Sequence, residues 1–76
     1  MSLEVKIKQI LENFESSSST EFLDVLYQIQ KKFQSPITQN YLSGKLKTIS
    51  ELNDEEERKK LCKNLLPYLD WYLQGV

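Results

Sequence analysis

Asp54, Glu55, Glu56 and Glu57 stand almost side by side, and Arg58, Lys59 and Lys60 follow at once. Acid–base catalysis needs titratable groups whose environments hold their protons differently. Carboxylates gathered at a helix start beside three bases share one environment, and they read as a solvated face. The chain has no histidine, so the side chain that most readily exchanges a proton near neutral pH is missing, and neither a Ser–His nor a Cys–His nucleophile can be built. Cys62 is the single cysteine. One thiol cannot close an internal disulfide, and without histidine it is too little for a zinc site. Cys62 falls beside Leu61 on the apolar side of its helix, the position of a buried structural cysteine. Lys59 and Lys63 are the neighbours that would activate it if it were exposed. No glycine-rich loop is available to cradle phosphate. The inventory predicts a non-catalytic protein with no cofactor and no metal.

Binding is the chemistry that remains. Residues 36 to 49 follow a tight Gln34-Ser35-Pro36 break and carry Gln39, Asn40, Lys45, Lys47 and several hydroxyls, types that read bases from a recognition helix. A helix-turn-helix usually comes with a basic surface, whereas this chain has 10 basic and 11 acidic residues and a net charge of −1. A DNA-binding regulator built on this segment is therefore the alternative reading, and nucleic acid is not the expected partner. The tail LLPYLDWYLQGV concentrates Tyr68, Trp71 and Tyr72 among four leucines. Tyrosine and tryptophan suit membrane interfaces, but the tail has no base after Lys63 to meet a lipid headgroup. They also suit protein interfaces, where they bury large area and keep a polar handle. Three destinations stay open for these rings: the chain's own core, a core shared with a second copy, or the surface of a foreign partner. Phe33, Tyr41, Tyr68, Trp71 and Tyr72 are the candidate partner-binding residues.

The elements that position these side chains are helical. Leu, Lys, Glu and Gln are abundant, and only two glycines and two prolines interrupt the 76 residues. Leu3, Ile7, Ile10, Leu11 and Phe14 share one helical face, which predicts a first helix over about 3–15 with Ser2 as its N-cap. The shorter alternation of Leu3, Val5 and Ile7 offers a strand, and the longer helical period outweighs it. The serine run 16–19 reads as a loop, with Ser18 and Glu21 spaced as a capping box and Ser19 or Thr20 as alternative caps. A second helix over about 21–34 carries Phe22, Leu26, Ile29 and Phe33 on one side, with Leu23, Val25 and Tyr27 widening the apolar surface. Such girth predicts a central helix.

Ser35-Pro36 is a helix opening, with serine at the cap and proline at the first position. Beyond it the phase changes: Ile37 and Tyr41 lie on one face, Leu42, Leu46 and Ile49 on another. That shift predicts a short helix ending near Gly44 and a bent continuation to about Ile49. The last helix starts after Asn53 as cap, with acids in its first turn where the helix dipole favours them. Glu55 with Lys59 and Glu56 with Lys60 are spaced as i,i+4 pairs. Leu61, Leu65, Leu69 and Leu73 keep one phase across Pro67, where the helix must kink or restart.

The sum is a single all-α domain over 1–76, a small antiparallel bundle of about four helices, the last kinked or broken at Pro67. The expected function is that of a small protein-binding module, whether inhibitor, modulator or assembly factor. Homo-oligomerisation is favoured because so short a chain has little core and no disulfide. The N-terminus lacks an apolar signal region and no stretch is long enough to span a membrane, so the expected location is cytoplasmic.

Overall fold

The computed structural model describes residues 2–75; Met1 and Val76, the two ends of the expected domain, lie outside them. Among the described residues there are five α-helices and no strand: α1 (Leu3–Glu12), α2 (Ser19–Gln30), α3 (Pro36–Ser50), α4 (Glu55–Lys63) and α5 (Leu66–Leu73). The count exceeds the expected four because residues 55–73 form two helices rather than one. No helix among these residues is long and apolar enough to cross a membrane.

α1 opens where the cap residue predicts, with the Ser2 hydroxyl accepting the Val5 N–H at 3.2 Å. It closes three residues early. Asn13 leaves the helical region at φ −134°, ψ 52°, and a single 3-10 turn at Phe14–Ser16 follows. The turn carries the Phe14 ring onto Phe22, edge to face at 5.9 Å and 87°. A helix continued past Glu12 would have fixed Phe14 to the periodicity of α1; leaving the helix lets tertiary packing set its place.

α2 starts at Ser19, two residues before the sequence suggests, because the Ser18 hydroxyl accepts the Glu21 N–H at 3.1 Å and caps it. It ends at Gln30 in a turn through Lys31 and Lys32. Phe33 therefore lies beyond the helix, yet only 6% of it is exposed. The Gln39 amide donates to the Phe33 carbonyl, which folds the connection back under α3. As its girth predicts, α2 is central: it packs against α1, α3, α4 and α5. Phe22, Val25, Leu26 and Ile29 are fully buried there with Ile7, Ile10, Leu42, Ile49, Cys62, Leu65 and Leu69.

α3 corrects the expected break at Gly44, for it runs unbroken from Pro36 to Ser50. Ser35 caps it and Pro36 begins it. The change of apolar phase is real but does not mark a boundary. Leu42 and Ile49 face the core, with Leu46 packed against it, while Ile37 is 82% and Tyr41 47% exposed. One helix thus carries two apolar stripes, one inward and one outward. A glycine inside a helix costs only about 1 kcal/mol, too little to break an element that the Leu42 to Ile49 stripe holds down.

The cap of α4 is Asp54 rather than Asn53: its carboxylate accepts the Glu56 N–H at 3.1 Å. The chain leaves α4 at Lys63, turns through Asn64 and Leu65, and enters α5 with Pro67 in the first turn. Leu65 and Leu69 are buried in the core, and Leu61, Leu66 and Leu73 pack against it. The period that the sequence carries across Pro67 is thus kept across two helices. Gly75 ends the described chain at φ +93°, a left-handed conformation that glycine adopts without strain.

Candidate functional site

The end of α2, the start of α3 and the whole of α5 meet around four aromatic rings. Phe33 stands edge-on to Tyr68, with centroids 6.2 Å apart and planes at 84°. Tyr68 stands edge-on to Trp71 at 5.1 Å and 81°. Tyr41 lies against Tyr68 at 6.0 Å, tilted by 32°. Offset and edge-to-face contacts of this kind are the favoured aromatic geometries. Tyr68 is the hub, half-buried and touching all three others. Phe33 is the floor, buried by the Phe33–Gln39 hydrogen bond described above. Trp71 is the wall, and Tyr41 stands against Tyr68 outside the lining; each is 47% exposed.

Beside these rings lies a groove of about 510 Å³. Its aromatic lining is Phe33, Tyr68 and Trp71; Gln34, Ser35, Thr38 and Gly75 complete it. No charged side chain among the described residues lines it. Burial, with the Tyr41 phenol alongside, holds the Tyr68 hydroxyl above the ordinary tyrosine range, so it stays a neutral donor. Ile37 continues the apolar surface one helical turn before Tyr41.

Four of the five residues singled out in the sequence are brought together here. Tyr72 is not among them. It is half-buried, packed against the core beside Leu69 and Leu73, and joins none of the ring pairs above. Trp71 does not close the chain's own core, since nearly half of it faces outward. Gln34, Ser35 and Thr38 were missed as lining residues. They read as a helix cap and its neighbours, and only the fold-back at Phe33 turns them toward α5.

The segment considered for DNA contact is partly committed elsewhere. Gln39 holds the Phe33 carbonyl, and the Lys45 ammonium sits 5.6 Å from the centre of the Tyr41 ring.

A second cluster lies at the other end of the molecule. The Glu55 carboxylate accepts both the Ser19 N–H, at 2.8 Å, and the Ser19 hydroxyl. Those two hydrogen bonds hold its carboxyl below the ordinary glutamate range, with help from Arg58 and Lys59. The Lys59 ammonium donates to the Phe14 and Glu15 carbonyls at 2.7 and 2.8 Å and lies 4.8 Å from the centre of the Phe14 ring. Glu55 and Lys59 therefore do not pair with each other along α4 as their spacing suggests. Each reaches across to the connection between α1 and α2, and together they tie it to the start of α4. Ser19 is fully buried, and both its N–H and its hydroxyl are engaged by Glu55.

Cys62 is fully buried. Burial pushes its thiol up to about 11, against the opposing pull of Arg58 and Lys59, and at neutral pH it is an inert thiol.

Comparison of the chain with protein-family models, with curated proteins and with solved structures finds no match.

Proposed function

We propose that this chain is a small non-catalytic protein-binding module that docks a partner on the face built from Phe33, Tyr41, Tyr68 and Trp71. One observation carries the reading: a groove with no charged side chain among the described residues, walled by half-exposed Trp71, with half-exposed Tyr41 beside it, both rings held by edge or tilted contact with Tyr68. Preset aromatic walls lose little side-chain freedom on binding, which is what makes such residues hot spots. The absence of histidine and the inert state of Cys62 leave binding as the chemistry this face can perform. Tyr72 serves from beneath, as part of the packing that seats α5.

The bundle reading goes with it. The starts of α2 and α4 meet through Ser19 and Glu55, which supports helices alternating in direction, an antiparallel bundle. We attribute the interruption between α4 and α5 to Pro67, whose ring would clash with the Lys63 carbonyl in a continuous helix. The interruption lets α5 present Trp71 beside Phe33. A homodimer through the same face is a second reading, favoured by Ile37 at 82% exposure. DNA binding has less behind it, given the engaged Gln39 and the net charge of −1.

A photo-crosslinking amino acid at Thr38, in the groove, tests the main reading in the native host, with one at Tyr27 as control. Tyr27 is 52% exposed and lies outside the groove. The expected result is an adduct of defined mass from Thr38, absent from Tyr27 and lost when Trp71→Ala is added. Adducts that ignore Trp71 would overturn the reading.

A further inference from the structure

Resting on that reading, we infer that the groove takes a proline-rich segment of another protein in the polyproline II conformation. Four features of the site argue for this occupant.

The first is charge. No charged side chain among the described residues lines the groove, so a charged segment would be desolvated there without a side-chain partner from them. The second is hydrogen bonding. Five of the residues that line the groove, Gln34, Ser35, Thr38, Tyr68 and Trp71, carry side-chain hydrogen-bond donors. An α-helix spends its carbonyls internally and would leave these donors unanswered on burial. A polyproline II segment makes no internal hydrogen bonds, so its carbonyls are free, and proline has no N–H to strand. A β-strand would need a sheet edge to pair with, and the described residues contain no strand.

The third feature is shape. Tyr68 and Trp71 meet at 81° and Phe33 and Tyr68 at 84°, which gives a corner of flat faces suited to a pyrrolidine ring. From Tyr68 to the end of α5 and its turn the groove runs about 10 Å, the length of one three-residue polyproline turn at about 3.1 Å per residue.

The fourth is size. With Ile37 82%, Tyr41 47% and Trp71 47% exposed, the apolar patch offers roughly 300 Å², against the ~800 Å² each partner contributes to a stable interface. That suits a short segment better than a second copy. The two prolines of these 76 residues, Pro36 and Pro67, lie in helix starts and do not supply the segment.

Fluorescein-labelled decaproline, titrated with the purified full chain and read by anisotropy, tests the proposal. Saturable binding is expected, weakened at least about tenfold by Trp71→Ala and reduced by Thr38→Val. Tyr27→Ala should leave it unchanged. Circular dichroism and urea unfolding establish that each variant is folded. No saturable binding to about 1 mM, or binding indifferent to Trp71→Ala in a folded variant, overturns the proposal. Two outcomes would remove the proline-rich occupant and leave the protein-binding reading standing. One is Trp71-dependent binding of a leucine-rich amphipathic helical peptide in place of decaproline. The other is a concentration-dependent doubling of mass abolished by Trp71→Ala.

Discussion

The two ends of α2 are built from opposite materials. At its start, Ser19, Glu55 and Lys59 join three segments through hydrogen bonds in which the polar groups answer one another. At its far end, about 18 Å away along a 12-residue helix, Phe33, Tyr68, Trp71 and Tyr41 join three segments through ring contacts and leave a groove open. At the polar end Ser19, Glu55 and Lys59 are engaged by the chain itself, so a partner would have to displace those hydrogen bonds to use them. The aromatic end offers flat apolar faces at Tyr41 and Trp71, each 47% exposed, that a partner could cover without displacing a hydrogen bond of the core. A small domain has little surface to spare, and here Glu55 and Lys59 are used for assembly while Tyr41 and Trp71 are left outward.

The comparison is tested most severely by Phe33→Ala, which removes the buried floor of the groove. It should cost about 3–5 kcal/mol of stability, seen as a lower urea midpoint with the slope retained. A loss below about 1 kcal/mol would mean that the rings are not packed on a common floor. Trp71→Ala is the next largest. The composition of the tail invites the cost of a fully buried tryptophan, but a half-exposed ring with one edge contact to Tyr68 should cost only about 1–2 kcal/mol. A cost as large as that of Phe33 would place Trp71 in the core and remove the wall from the groove.

The polar end should respond in a different manner, to acid. Ser19→Ala deletes one hydrogen bond at a buried site and should cost about 1 kcal/mol. Glu55→Gln acts in the same direction and adds a signature in pH. The carboxyl of Glu55 is lower in the folded chain than its ordinary value of 4.5. Its contribution is therefore fully present above that value and is lost as pH falls through the lowered folded one. Wild type should lose stability more steeply than Glu55→Gln below about pH 4.5, and the two should run parallel from pH 6 to 8. Identical acid limbs would mean that the clasp contributes nothing.

Much of this was legible in the residues. The all-helical class, the caps Ser2, Ser18 and Ser35, the central place of α2 and the burial of Cys62 all follow from local rules: hydroxyl spacing, apolar girth and period. What escaped was every feature that depends on elements far apart in sequence. The Glu55–Lys59 spacing looks like a surface pair because an i,i+4 rule sees only its own helix; Ser19 and Phe14 are about 40 residues away and answered those charges instead. Phe33 and Phe14 fit helical faces, yet both fall outside helices, because the chain turns before them. In the candidate site, Phe33, Tyr41, Tyr68 and Trp71 stood out as aromatic residues near helix ends. Ser35 and Thr38 looked like a cap and its neighbour, and Tyr72 could not be told from Trp71, although one ring faces the core and the other the groove.

α3 links the two ends, starting beside the groove at Ser35 and delivering the chain through Glu51 to Asp54 beside the clasp. Gly44 stands in the middle of it, and a Cβ added there meets nothing within 4 Å. Its φ is not positive, so alanine fits the native backbone and removes freedom only from the unfolded chain. Gly44→Ala should raise stability by about 0.5–1 kcal/mol. It should leave the acid limb set by Glu55 and the decaproline titration unchanged, since it touches neither end. If the variant were instead less stable, or shifted groove binding while stabilising the fold, α3 would have to bend at Gly44, and the groove and clasp would be two states of one coupled device rather than independent ends of a rigid strut.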